Sequence, residues 1–252
     1  MKFVAIIPAR IASTRFPAKP LALLGNKTVI ERVYTQVASV LSDVYVATDD
    51  LSIAEEVKRF NGKVILTSPD HNSGTDRCYE AYTKIGRSFD VVINVQGDEP
   101  FIQPSQLRSV MDCFSSEDTQ IATLVKPFLA SDGFNSLENI NSPKVVLDRQ
   151  MCALYFSRSI IPFQRNADQP DWLSNHTYYK HIGLYAYRSE VLRQITRLEQ
   201  SPLEIAESLE QLRWLENGYR IKAGLTDVET IGIDTPEDLE RAEDYLKKQL
   251  CD

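Results

Sequence analysis

Cysteine is scarce in this sequence and carries no pattern. The four residues Cys78, Cys113, Cys152 and Cys251 show no C-x-x-C pair and no metal-site spacing. With no export signal visible, they read as free thiols of a reducing compartment, which points to the cytoplasm. Positive charge is also in deficit: 28 Lys and Arg stand against 35 Asp and Glu, a formal net charge of −7. That balance excludes a general nucleic-acid binder or a binder of anionic membranes, since both need a basic face. The longest apolar runs are strand-sized, so no membrane span is expected. Neither G-x-x-x-x-G-K-[ST] nor G-x-G-x-x-G occurs, which removes the P-loop and the usual dinucleotide fold.

What is present is an ordinary globular composition, 43% hydrophobic and 25% charged, long enough for one α/β domain with a large core. The first half alternates strand and helix. FVAIIP is a buried-type strand, and TVIERVYTQVASVL carries Val29, Ile30, Val33, Val37, Val40 and Leu41 on one helical stripe. Strands at 44–48, 63–66 and 90–96 are interleaved with helices at 52–60 and 75–85. This order predicts a mostly parallel sheet whose strand C-termini form the ligand-binding edge. After about residue 119 the strands QIATLVKPF, KVVLDRQ and CALYFSR follow without obvious helices, and 144–157 reads as a hairpin turning at Asp148-Arg149-Gln150. Residues 162–178 read as an inserted polar loop. YKHIGLYAYR is a strand, PLEIAESLEQLRWLENG a helix stopped by Gly218, YRIKAGL a strand and TPEDLERAEDYLKKQL the closing helix.

An acidic protein nevertheless places Arg10, Arg15 and Lys19 directly after its first strand. Cations and loop amides at that edge suit a polyphosphate. NVQGDEP ends a later strand and presents Asp98 at the same edge, where one or two carboxylates plus phosphate oxygens commonly hold a hard divalent cation. Gly97 allows a sharp turn there, and Glu99 points to the opposite face. Asp234 precedes a helix start in which Thr235, Pro236 and Asp238 form a capping pattern. Ser73, Gly74 and Thr75 open a helix with free amides, and Gln96 offers both a donor and an acceptor. His71 reads as a loop residue and His176 as exposed, while Trp172 and Trp214 read as packing residues.

The stretch Pro8–Leu21, P-A-R-x-x-S-T-R-x-P-x-K-P-L, resembles the signature of the sugar-nucleotide cytidylyltransferases, and within them the 3-deoxy-manno-octulosonate (Kdo) cytidylyltransferases. HNSGTDR, NVQGDEP, ALYFSRSIIP, KHIGLYAYR, SPLEIAESLEQLR and GIDTPEDLERA extend the resemblance almost end to end. One departure is Ala18, where the family often has Gly. The resemblance implies a single-domain nucleotide-diphospho-sugar transferase α/β fold with an inserted hairpin. Residues 1–118 would be mainly nucleotide-binding, 119–225 mainly sugar-binding with dimer contacts, and 226–252 would carry the metal-site Asp and the closing helix. It implies transfer of a cytidylyl group from CTP to Kdo, releasing pyrophosphate and activating Kdo for lipopolysaccharide or capsule synthesis, by a cytoplasmic homodimer using Mg2+. Arg10, Arg15, Lys19 and Asp98 would act in catalysis. Ala9, Arg10, Ser13, Arg15, Lys19, Ser73, Gly74, Arg77 and Gln96 would bind the nucleotide, and Asp98 with Asp234 the metal. The carboxylated sugar would meet Arg158, His181, Tyr185, Glu204, Glu207 and Gln211, the last three on one helical face. Two alternatives stay open: a cytidylyltransferase for 8-amino-Kdo or a sialic acid, and a non-catalytic nucleotide-sugar sensor.

Overall fold

The run FVAIIPA forms the strand Phe3–Ala9, with Val4, Ala5, Ile6 and Ile7 sealed from solvent. An apolar run with no alternation is the mark of a strand covered on both faces. The computed structural model describes residues 1–12, 15–229 and 231–249. Its tertiary contacts divide into two units, Met1–Leu107 with Thr230–Asp252, and Arg108–Glu229.

In the first unit Phe3–Ala9 lies between Val91–Asn94 and Val44–Thr48, and Val64–Leu66 is added beyond Val44–Thr48; every pairing is parallel. The crossovers are amphipathic helices at Val29–Ala38, Leu51–Arg59 and Gly74–Ile85. Each begins at a side-chain cap: Thr28 accepts from the Glu31 amide, Asp50 from Ser52 and Ile53, and Ser73 from Asp76. The closing helix Pro236–Gln249 returns to this unit, where Ile233 and Ala242 pack with Leu24, Val29 and Phe101. Its start bears out the capping pattern: the Asp238 amide donates to the Thr235 hydroxyl, and the Asp238 carboxylate accepts from the Thr235 amide at 2.9 Å.

In the second unit Ile121–Pro127 pairs parallel with Ile221–Leu225 and antiparallel with Tyr179–Arg188, and the latter pairs with Lys144–Leu147. The hairpin expected over 144–157 forms, with Lys144–Leu147 against Ala153–Ser157. Its turn is closed by the Asp148 carboxylate, which accepts from the amides of Gln150 and Cys152. Three sequence expectations need correction. A helix at Phe134–Glu138 interrupts the strands expected to follow one another after residue 119, and helices at Pro104–Asp112 and Ser189–Ile195 fall in stretches to which the sequence reading assigns no element. The polar stretch 162–178 is not a plain loop: a short helix at Trp172–Asn175 buries Trp172 against Phe128, Leu137 and Tyr178. The helix expected over 202–218 is two, Pro202–Glu207 and Gln211–Glu216, broken at Ser208 in the left-handed region, φ 51°.

Candidate active site

The cavity of about 270 Å³ at the C-terminal edge of the first unit's parallel strands is lined by Pro8, Ala9, Arg10, Arg15, Lys19, Pro20, His71, Asn72, Ser73, Gly74, Arg77, Gln96, Gly97, Asp98 and Asp234. It gathers eight of the nine nucleotide candidates and both metal candidates. Ser13 lies outside the described residues. Backbone proximity builds the site: the Ile233 amide donates to the Asp98 carbonyl at 2.9 Å, which sets Asp234 beside Asp98. Gly97 is required here for a different reason from the one expected. Its φ is not left-handed, but a Cβ would stand 2.7 Å from the Pro8 carbonyl oxygen, so only glycine permits the two strand ends to meet.

Charge in the site is organised around Lys19. Its ammonium is 2.6 Å from an Asp98 oxygen and 3.1 Å from an Asp234 oxygen, with a side chain only 12% exposed. Arg15 approaches the second Asp234 oxygen at 3.3 Å from an exposed position. Arg10 is exposed at the rim and makes no ion pair among the described residues. Two carboxylates therefore converge on one cation position, and among the described residues no third His, Cys, Asp or Glu joins them. That donor set fits Mg2+, whose shell substrate oxygens and water would complete.

The nucleotide side is partly prearranged. Arg77 is buried, with its guanidinium 2.9 Å from Asp49 and donating to the Thr67 hydroxyl at 2.6 Å, so its charge is already balanced. The Ser73 hydroxyl caps its helix, which leaves its backbone and Gly74 to line the cavity. The Gln96 carboxamide lines the cavity with no protein partner among the described residues. His71, which reads from sequence as a loop residue, lines the cavity and is oriented by the Glu80 carboxylate. No sequence signal could have paired it with a helix residue nine positions on.

The six sugar candidates all lie in the second unit, and the structure separates them into two groups. Arg158, Glu204 and Glu207 are engaged within the fold. The Arg158 guanidinium donates to the carbonyls of Glu207, Ile140 and Ser208 at 2.7, 3.0 and 3.2 Å. Glu207 accepts from the Ser157 hydroxyl and the Arg158 amide. Glu204 forms a two-pronged pair with buried Arg213 at 2.7 Å on both oxygens, and caps its own helix at Ser201. With the break at Ser208, Glu204, Glu207 and Gln211 do not share one helical face.

His181, Tyr185 and Gln211 are the other group. The His181 and Tyr185 rings stand 5.3 Å apart, whereas four residues of regular strand would separate their backbones by about 13 Å. A bulge brings them together: Ile182 pairs with Leu124 and Tyr185 with Thr123, so Gly183 and Leu184 are extra residues. Trp214 packs edge-on against Tyr185 at 5.1 Å, as a packing residue. The Gln211 amide nitrogen is buried without a hydrogen-bond partner among the described residues. The Tyr185 hydroxyl lies beside Thr123 but makes no hydrogen bond of regular geometry there. Burial holds the His181 imidazole at about 3, so it is neutral near pH 7, and pushes the Tyr185 phenol well up.

Comparison with known proteins shows the family. A cytidylyltransferase family model matches residues 4–222. A Bacteroides thetaiotaomicron protein named 3-deoxy-manno-octulosonate cytidylyltransferase is 72% identical over 99% of this chain and 100% of its own length. The chain belongs to the 3-deoxy-manno-octulosonate cytidylyltransferases. A Phocaeicola vulgatus protein of that name is 69% identical over 99% of both chains. A solved member of the family, CMP:2-keto-3-deoxy-manno-octonic acid synthetase complexed with CTP, superposes with a TM-score of 0.90 at 38% identity, covering 99% of this chain and all of that one. The mixed α/β nucleotidyltransferase fold with a mostly parallel central sheet is that of this 3-deoxy-manno-octulosonate cytidylyltransferase structure. Among the described residues no helix is long and apolar enough to cross a membrane.

Proposed function

We propose that this protein transfers the cytidylyl group of CTP to Kdo, giving CMP-Kdo and pyrophosphate. The observation that carries this is the Lys19 ammonium between Asp98 and Asp234 in a cavity rimmed by Arg10 and Arg15, in a chain 72% identical to a protein named for this reaction. The Kdo anomeric oxygen attacks the α-phosphorus of CTP, its proton leaves, and the bond from the α-phosphorus to the bridging oxygen of pyrophosphate breaks. No covalent work is required of the protein beyond alignment and stabilisation of charge.

Arg10, Arg15 and Lys19 neutralise the triphosphate and the departing pyrophosphate. Asp98 and Asp234 are the residues that would hold Mg2+, which when bound supplies charge neutralisation at phosphate oxygens. The same two carboxylates keep Lys19 in place before substrate enters. Gln96 and the Ser73–Gly74 backbone read the nucleotide. Tyr185 and Gln211, whose polar atoms the fold leaves unmatched, contact the sugar together with His181, whose ring stands 5.3 Å from that of Tyr185. Mg2+ dependence, a homodimeric state and a cytoplasmic location belong to the same proposal.

The test is pyrophosphate release from CTP with a panel of acidic sugars, with and without Mg2+. Release with Kdo and Mg2+ well above that with 8-amino-Kdo or sialic acid is the expected result. Preference for another sugar moves the substrate assignment, and no release with any sugar leaves a nucleotide-sugar sensor.

A further inference from the structure

We propose that Thr123 is a positioning residue which fixes His181 as its Nε2–H tautomer and so presents the Nδ1 lone pair as an acceptor for a sugar hydroxyl; the second half of this rests on the reading of His181 as a sugar contact.

The argument is a count of protons. Thr123 sits on the strand Ile121–Pro127 and is completely buried. Its hydroxyl oxygen lies 3.0 Å from His181 Nε2, 3.1 Å from the Ile182 carbonyl oxygen and 3.0 Å from the Leu184 carbonyl oxygen. Both carbonyls flank or lie in the bulge at Gly183 and Leu184. A hydroxyl has one proton and two acceptor lone pairs, so with its proton on a carbonyl it can accept both from His181 and from the Tyr185 hydroxyl beside it. Carbonyl oxygens only accept, so the proton must point at one of them. If it pointed at His181 instead, two carbonyl oxygens at hydrogen-bond distance would face lone pairs in a buried site, which is costly. The hydroxyl therefore accepts from the imidazole, and Nε2 carries the hydrogen.

The other ring nitrogen follows. A neutral imidazole has one N–H, so Nδ1 is an acceptor. No hydrogen bond to Nδ1 is made within the described residues. The ring stays neutral near pH 7 because burial lowers its pKa to about 3. It is held edge-on to Phe156 at 5.1 Å and against Tyr185, so it cannot rotate freely to exchange the two nitrogens. A neutral acceptor suits a polyol, whose hydroxyls both donate and accept.

The experiment uses the full chain labelled with ¹⁵N-histidine and long-range ¹H–¹⁵N correlation spectra at pH 7. The His181 signals are identified by their absence from His181→Gln. In the ligand-free protein Nε2 is expected to be protonated and Nδ1 not. Thr123→Val, which keeps the shape and removes the hydroxyl, is expected to lose the single tautomer and to raise the Michaelis constant for Kdo by roughly tenfold, with that for CTP unchanged. Thr123→Ser is expected to restore both. An Nδ1–H tautomer in the unsubstituted protein, or an unaltered tautomer in Thr123→Val, overturns the proposal. The first result needs no variant and decides even if Thr123→Val fails to fold. If the tautomer responds as stated but neither Thr123→Val nor His181→Gln moves the Kdo constant, His181 is not a sugar contact; that reading of the site fails, and Thr123's role toward substrate with it.

Discussion

Glu204→Gln tests whether that carboxylate belongs to the fold or to the substrate. Glu204 is 6% and Arg213 9% exposed, and both carboxylate oxygens accept from the guanidinium at 2.7 Å. Glutamine keeps the size, removes the negative charge and turns an N–H₂ toward a group that only donates. Breaking a buried pair this way costs about 3–5 kcal/mol, because the remaining charge stays desolvated. Arg213 retains the Leu198 carbonyl at 2.9 Å and a longer approach to Glu210 at 3.7 Å, which places the loss at the low end, about 3 kcal/mol. For a chain of this size that is a fall in melting temperature of roughly 6–12 °C. The assay is thermal unfolding alongside steady-state kinetics. The expected outcome is a lower midpoint with no selective change in the Michaelis constant for Kdo. Replacing both residues, Glu204→Met with Arg213→Met, should recover much of the loss, since a packed apolar pair needs no desolvation. An unchanged midpoint with a raised Kdo constant alone would refute the reasoning and return Glu204 to the sugar site.

Asp98→Asn is expected to lower turnover at saturating CTP and Mg2+ by about 10²-fold or more, the scale of one key electrostatic group; near-normal turnover would remove Asp98 from the site. Ala18 has φ 57° and ψ 21°, a left-handed backbone that costs a residue with a Cβ about 1 kcal/mol. Ala18→Gly should therefore raise the unfolding free energy obtained from urea titration by about that amount, and an unaltered or lower urea midpoint counts against it. His181 has a folded pKa near 3 against about 6.5 in an unfolded chain. Above pH 6.5 both states are neutral there and stability is full. As pH falls below 6.5 the unfolded chain takes up the proton first, so stability drops by up to about 1.4 kcal/mol per pH unit until about pH 3. Between pH 6.5 and 5 the slope should be shallower in His181→Gln, and equal slopes would show that His181 is not held neutral.

Features set by neighbours in the chain were legible from sequence. The parallel strand–helix order follows from apolar runs and 3.6-residue stripes. The Asp148 turn and the Thr235–Asp238 cap are closed by groups two to four residues apart. The cation-rich loop after the first strand was readable because the strand's end fixes where the loop must lie. Helices such as Pro104–Asp112 were missed because their stripes are short and their composition polar.

What the sequence could not supply was any fact that depends on which distant groups meet. That Lys19 bridges Asp98 and Asp234 requires a backbone contact between Asp98 and Ile233. That Glu204 meets Arg213 depends on a helix breaking at Ser208. That His181 and Tyr185 touch depends on two extra residues in one strand. A carboxylate or imidazole reads the same in one dimension whether it meets an arginine, a metal or solvent. Its partner is chosen by the burial of other residues, and only the tertiary structure makes that choice.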